Sequence, residues 1–313
     1  MQTRPLGRTG LEIAPLVFGG NVFGWTADRA TSFRMLDRFV ERGFNAIDTA
    51  DVYSAWAPGL SGGESETLIG EWLAARGRRD DIVLMTKVGK LEQRKGLSAS
   101  NIEAAVEDSL RRLRTDHLDV YFAHADDATV PLEDTMAAFD RLVKAGKVRA
   151  PGASNYSAGR LRQALEVSKA EGLVAYGVLQ PEYNLHDRGD FESGLATVAQ
   201  EHGLGVVSYF SLASGFLTGK YRSPADLEGR ARAGFLRGYF EERGRRVLEA
   251  LLAASAEVSA PPAQVALAWL LARPGVTAPI ASATSVEQLD EILGAVTLSL
   301  PEPLLARLDA AGA

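Results

Sequence analysis

Asp48, Tyr53, Lys87 and His124 are the residues of this chain whose types and placement could do chemistry together. Each stands at or just past the end of an apolar, strand-like run. Phe44-Asn45-Ala46-Ile47 leads to Asp48, Ile82-Val83-Leu84-Met85-Thr86 to Lys87, and Leu118-Asp119-Val120-Tyr121-Phe122-Ala123 to His124. Gathered at one place, they would make a proton-transfer site suited to reducing a carbonyl. Tyr53 is the natural acid, although an unperturbed phenol titrates near ~10. Bringing it towards neutrality requires about 3 to 4 kcal/mol of differential interaction, within reach of a partly buried contact with Lys87. Asp48 would keep Lys87 charged and aimed, because an unpaired buried ammonium tends to shed its proton. His124, as a neutral donor, would complete a pocket for the substrate oxygen. No side chain gives hydride, so a reductive site implies a nicotinamide cofactor.

Taken singly, each residue has a bland explanation: a turn aspartate, a core tyrosine, a surface lysine, a satisfied histidine. Jointly the balance reverses, since coincidence would have to place all four at the same ends of successive strands. Asp48 and Tyr53 are close in the chain, so a turn must fold Thr49 to Val52 back over that end.

Strands alternating with helices imply a parallel sheet, and the carboxyl ends of the strands in a β/α barrel are where catalytic groups converge. Thr3 to Ile13, split by Gly7-Arg8-Thr9-Gly10, reads as a hairpin outside the barrel that plugs its bottom. A strand ending at Gly19-Gly20 precedes a helix over 30–42. Further strands are predicted at 44–48, 82–87, 118–124, 148–153, 176–180, 205–210 and 276–281. The helices between them fall at 65–76, 99–113, 132–145, 157–171 and 191–201, then 245–257 and 262–272 after a long irregular insertion. Helix 285–293 follows the eighth strand, and a helix at 302–311 is appended. The expected fold is α/β, a (β/α)8 TIM barrel spanning residues 1–313 as one domain. An open dinucleotide-binding sheet is disfavoured, because Gly19-Gly20-Asn21-Val22-Phe23-Gly24 lacks the G-x-G-x-x-G spacing.

The 313 residues carry a net charge of −6, which disfavours nucleic acid or an anionic membrane as partner. Arg76, Arg78 and Arg79, like Arg111, Arg112 and Arg114, close helices and read as solvated caps. The absence of cysteine excludes disulfides, thiolate zinc sites and a cysteine nucleophile. The four histidines are scattered, so a metal-dependent barrel hydrolase is disfavoured and no metal is expected. With no apolar leader or membrane-length run, the cytoplasm is the default location.

The strand ends continue with Ser154-Asn155, Gln180 and Tyr209. Asn and Gln can bond both atoms of a carboxamide and Tyr offers a stacking face, so an extended cofactor fits that arc. Substrate choice should come from the loops, with Asn21, Phe23, Trp25, Trp56, Asp126 and Phe210 as candidate walls and Phe235, Tyr239 and Phe240 as further contributors. An aromatic mouth would suit ring-bearing carbonyl compounds, whereas Asp126 could bind sugar hydroxyls.

Gly43 to Tyr53, Gly63-Glu64-Ser65-Glu66, Thr86-Lys87 and Leu118-Asp119-Val120-Tyr121 open a series of motifs. Lys144 to Arg149, Ser154-Asn155-Tyr156, Gln180 to Asn184 and Leu217 to Tyr221 complete it. In this order they resemble the aldo-keto reductase family over nearly the whole chain. The resemblance implies NADPH-dependent, reversible reduction of aldehydes and ketones, with Tyr53 as acid/base, Lys87 and Asp48 as its tuning pair and His124 orienting substrate. It also implies that Ser154, Asn155 and Gln180 hold the carboxamide and that Tyr209 stacks on the ring. Ser211, Leu212, Gly215 and Lys220 would wrap the pyrophosphate, with Ser282, Thr284, Gln288 and Glu291 at the adenosine end.

At that end the chain departs from many relatives. Ser282 and Thr284 stand where a Lys or Arg often grips the 2′-phosphate, Gln288 where some have Arg, and Ile292 replaces a common Asn. The charge must then come from elsewhere, such as Lys220, Arg222 or Arg230, and NADH becomes possible. Two other functions stay open: an NAD(P)-dependent aldose dehydrogenase, and a cofactor-sensing auxiliary subunit like those of potassium channels. Physiological substrate, direction and oligomeric state are not encoded in any motif.

Overall fold

The computed structural model describes residues 2–229 and 233–313. Eight parallel strands close into a barrel: β3 (Val17–Gly19), β4 (Ala46–Asp48), β5 (Val83–Val88), β6 (Leu118–Ala123), β7 (Val148–Ser154), β8 (Val178–Gln180), β9 (Gly205–Ser208) and β10 (Ala278–Ala281). β10 closes the ring by pairing with both β9 and β3. Ahead of them β1 (Arg4–Pro5) and β2 (Glu12–Ile13) form an antiparallel hairpin.

Side chains alternate across a strand, so each barrel strand sends every second residue inward. Val17, Ala46, Val83, Met85, Val120, Phe122, Val178, Val207, Ala278 and Ile280 form the inner core. Leu6, Leu11 and Ile13 of the hairpin pack into the same cluster, so the hairpin plugs one end as its sequence suggested. The fit is tight: a Cβ on Gly7 would lie 2.2 Å from the Gly205 nitrogen. Carrying the alternation to the other end brings Asp48, Lys87, Ser154 and Gln180 into the lumen, all buried. The same two-residue step that builds the core therefore presents polar groups at its top.

The outer layer comprises α1 (Arg29–Glu41), α2 (Glu64–Arg76), α3 (Ala99–Leu113), α4 (Leu132–Lys144), α5 (Ala158–Glu171), α6 (Ala196–His202), α7 (Ala233–Leu236), α8 (Glu242–Val258), α9 (Pro262–Leu271), α10 (Val286–Leu293) and α11 (Glu302–Gly312). Asp28, Ser98, Ser157 and Ser285 cap α1, α3, α5 and α10, each accepting from a first-turn amide that the helix itself leaves unpaired. α11 is the appended helix, held where Arg243 and Arg188 donate to the carbonyls of Gly312 and Asp309.

Strand edges differ from expectation where the backbone turns early. β9 stops at Ser208, Tyr209 keeps only an isolated bridge to Glu182, and Phe210 turns left-handed at φ 52°. Phe191–Leu195 winds in a wider, π-type turn into α6, and the long insertion after β9 is a chain of short 3-10 turns interrupted by α7.

Candidate active site

Asp48 ends β4 and Lys87 lies in β5, both 1 % exposed. The Lys87 Nζ donates to Asp48 Oδ2 at 2.7 Å, to the Thr49 carbonyl at 2.8 Å and to Tyr53 Oη at 2.7 Å. All three ammonium hydrogens are thus accounted for. Tyr53 Oη donates in turn to Asp48 Oδ2 at 3.2 Å, and Gln180 Nε2 donates to Asp48 Oδ1 at 2.9 Å. The ammonium also lies 4.5 Å from the centre of the Tyr53 ring.

The turn that returns Tyr53 over Lys87 is fixed from several sides. The Thr49 amide donates to the Met85 carbonyl, and its hydroxyl pairs with Ser65, which donates to the Gly20 carbonyl. Ser54 adopts φ 77° and donates to the Phe23 carbonyl. Gly20 must lack a side chain, since a Cβ there would lie 2.9 Å from Ser65 Oγ and 3.0 Å from the Asp48 carbonyl.

Burial sets the electrostatics. It pulls the Lys87 ammonium below its ordinary range against the opposing attraction of Asp48. Burial, reinforced by the Asp48 carboxylate, pushes the Tyr53 phenol well above its ordinary range. The expected shift of the phenol towards neutrality is therefore reversed here: Lys87 is engaged mainly by Asp48, and the phenol stays protonated. His124, 8 % exposed, is held well below the ordinary imidazole range by burial and by the charges of Lys87 and Lys90, so it is neutral. Its Nδ1 is buried and has no hydrogen-bond partner among the described residues. Its ring meets that of Tyr53 edge-on at 6.2 Å.

Behind this group lies a shell that the sequence motifs marked without assigning a role. Glu66, fully buried, accepts from Thr86 Oγ1 and from Arg112 Nε, each at 2.6 Å. Arg112 reaches it across Gly63, where a Cβ would sit 2.6 Å from the arginine side chain. Arg79 similarly donates to Asp119 at 2.8 Å, which is 1 % exposed. Arg79 and Arg112 are therefore not solvated helix caps: each neutralises a buried carboxylate, Asp119 on β6 and Glu66 on α2.

Further round the ring, Asn155 (φ 55°) donates to the His124 carbonyl at 2.7 Å and to Ser154 Oγ at 3.0 Å, and accepts from Tyr209 Oη at 2.8 Å. Among the described residues nothing donates to Gln180 Oε1, which is free to accept from a ligand. Phe210, Ala213, Ser214 and Gly215 have φ of 52°, 46°, 56° and 102°. The Ala213 and Gly215 amides donate to the Phe210 and Leu212 carbonyls, so these left-handed positions form a tight turn closed on itself. Ser211 is buried with its hydroxyl on the Ser208 carbonyl, Leu212 packs on the core, and the exposed Lys220 lies near Gly215. At the far end Ser282 donates to Asn21, and Thr284 donates through both its amide and its hydroxyl to Gln288 Oε1. Glu291 is exposed and offers its carbonyl to Gln264.

The sequence profile of the Aldo/keto reductase family matches residues 15–313, all of the barrel and the helices around it. The chain belongs to the aldo/keto reductase family. It is 36 % identical over 320 residues to an uncharacterized oxidoreductase, YrpG, of Bacillus subtilis (strain 168), covering 99 % of this chain and 95 % of that one. Protein tas of Escherichia coli (strain K12) is 32 % identical over 337 residues, covering 99 % and 97 %. A probable voltage-gated potassium channel subunit beta of Oryza sativa subsp. japonica is 34 % identical over 317 residues, covering 96 % and 94 %.

Within this aldo/keto reductase barrel the loop residues are placed unequally. Trp25 and Trp56 meet edge-on at 5.6 Å, Trp56 meets Tyr53 at 5.8 Å, and Trp56 and Phe210 are 46 % and 42 % exposed. Phe235 is exposed as well. Phe23 is not a mouth residue: it is fully buried against Phe18, because the turn after β3 folds it under the loop. Asp126 is held by Arg160 at 2.8 and 3.0 Å, one guanidinium nitrogen on each of its oxygens. Tyr239 and Phe240 pack on Phe216 and pin the insertion, with Tyr239 also donating to Asp187. Arg222 offers its amide to Asp226, and Arg230 lies outside the described residues.

Proposed function

We propose that this protein reduces aldehydes or ketones to alcohols with a reduced nicotinamide dinucleotide, Tyr53 delivering the proton. The observation that carries the reading is the buried triangle of Lys87, Asp48 and Tyr53 at the carboxyl ends of β4 and β5. A phenol held protonated suits the reductive direction. Its proton, shared with Asp48 at the long distance of 3.2 Å, is poised to turn to a stronger acceptor, the oxygen of a carbonyl becoming an alkoxide. Lys87, donating to the phenol oxygen, stabilises the negative charge left there. His124 is neutral, and a proton on Nδ1 would meet no acceptor, so its N–H is on Nε2 and serves to orient the substrate oxygen.

The cofactor supplies the hydride. The residues present fit it. Gln180 Oε1 can accept from a carboxamide nitrogen while Ser154 and Asn155 reach its oxygen, and Tyr209 flanks the same arc. Lys220, exposed beside the tight turn from Phe210 to Gly215, offers a pyrophosphate its charge. Ser282, Thr284, Gln288 and Glu291 lie towards the adenosine. Thr284 and Gln288 engage one another and Ser282 engages Asn21, so they offer a 2′-phosphate no cation. NADPH is the proposed donor, its phosphate held by Lys220 or Arg222, with NADH also accepted. The substrate is a small molecule whose ring lies against Trp25, Trp56 and Phe210, and the protein works in the cytoplasm as one barrel domain spanning residues 1–313.

Titrating the protein with NADPH and separately with NADH, following tryptophan fluorescence, tests the cofactor reading. Tighter binding of NADPH, with measurable NADH binding, is expected, and binding of neither overturns the reading. The likeness to a probable channel beta subunit keeps a second reading in view, a cofactor-sensing subunit. Sustained turnover of carbonyl substrates without a partner decides for the enzyme. Preferential oxidation of aldoses would instead make it a sugar dehydrogenase, a reading that the engagement of Asp126 by Arg160 weakens.

A further inference from the structure

One buried carboxyl beside the site has no place in the reaction as derived. Asp51 is 1 % exposed, and neither of its oxygens has a hydrogen-bond partner among the described residues. It rides on the turn between Asp48 and Tyr53, and its backbone amide donates to the Lys87 carbonyl at 3.3 Å. The groups facing it are Glu66 and Arg112 from the helices outside the wall, and Lys87 and Tyr121 from β5 and β6. The Tyr121 hydroxyl is likewise buried without a partner.

Charge counting gives this arrangement meaning. Lys87 and Arg112 are balanced by Asp48 and Glu66, each through a direct ion pair. A third carboxylate here would be surplus, buried beside Glu66 and without a side-chain donor. Burial, followed by the nearness of Glu66, accordingly raises Asp51 to about 8.

We propose that Asp51 is a positioning residue acting through Lys87 on Tyr53: as a neutral carboxyl it leaves the ammonium to Asp48 and Tyr53, and as a carboxylate it weakens the ammonium's hold on the phenol oxygen. The inference rests on the proton-transfer reading above. An added negative charge near Lys87 raises the phenol further, making it a poorer acid, so reduction slows as Asp51 ionises. The device switches the site down on the alkaline side while leaving the tetrad geometry in place.

The test is the pH profile of kcat/KM for carbonyl reduction in the wild type and in Asp51→Asn. The wild-type profile should decline through about pH 8, and the decline in Asp51→Asn should move up by about one pH unit or more. Superposable profiles overturn this inference alone, whereas a wild type that reduces no carbonyl removes the proton-transfer reading and this inference with it.

A second readout needs no substrate. Asp51 is raised in the folded state from an unfolded value near ~3.9, so the stability it contributes is intact below about pH 4 and is lost as pH rises towards about 8. The thermal midpoint of the wild type should therefore fall relative to that of Asp51→Asn across that window. Parallel midpoint curves show that Asp51 does not titrate there and overturn the inference. Should Asp51→Asn fail to accumulate, Asp51→Leu removes the same charge without leaving an unmet polar group, and the same outcomes apply.

Discussion

Lys87 is one buried ammonium with three partners, and the proposed chemistry depends on it. Removing it strands Asp48, which then has only Gln180 and Tyr53 as donors. Lys87→Met should therefore lower kcat/KM for carbonyl reduction by about 100-fold or more, as loss of a tuned acid–base partner does. It should also destabilise the fold by about 3 kcal/mol, because a buried charge loses its partner. Steady-state kinetics and urea denaturation check the two, and near-normal turnover would remove the role. At this scale much was legible. Residue types at strand ends marked Asp48, Lys87 and His124, and the motif after Asp48 marked Tyr53, and the structure brings these four side chains together. The direction of the Tyr53 shift was not legible, since it depends on how Lys87 divides itself between carboxylate and phenol. Nor was Asp51 distinguishable from a surface turn residue, because burial of a loop side chain leaves no periodic trace.

At the scale of elements, the alternation of strands and helices fixed the barrel, and the order of strands followed the chain round the ring. What it could not give is how helices lean on the wall. α2 and α3 approach so closely that a Cβ on Gly70 would lie 2.1 Å from the Arg112 carbonyl. Backbone cannot yield as a flexible side chain can. Gly70→Ala should cost about 2 kcal/mol despite the better helix propensity of alanine, read as a lower urea midpoint. It should also lower turnover, since α3 carries the Arg112 that neutralises Glu66 behind the site. A midpoint at or above that of the wild type would show that the two helices are free to separate. Phe23 illustrates the opposite limit: an aromatic in a loop next to a glycine looks like a wall residue until the fold tucks it under. The tight turn after β9 was likewise invisible, since nothing in the residue types of Phe210, Ala213 and Ser214 marks them for left-handed φ.

For the whole molecule, one end of the barrel is sealed by the hairpin and packed with apolar side chains, and the other carries the buried polar group and the exposed aromatics. Stability and chemistry are thereby placed at opposite ends of the same eight strands, as barrel enzymes arrange them. Among the described residues no helix is long and apolar enough to cross a membrane. Family membership and the Lys87 triangle are what support the proposed reduction of a carbonyl with Tyr53 as acid. The direct test is consumption of NADPH in the presence of a panel of aromatic aldehydes and ketones, by the wild type and by Tyr53→Phe, with cofactor affinity measured in both. The account predicts turnover by the wild type and a loss of about 1,000-fold or more in Tyr53→Phe, with cofactor affinity within a few-fold of unchanged. Comparable turnover by the two proteins would contradict it.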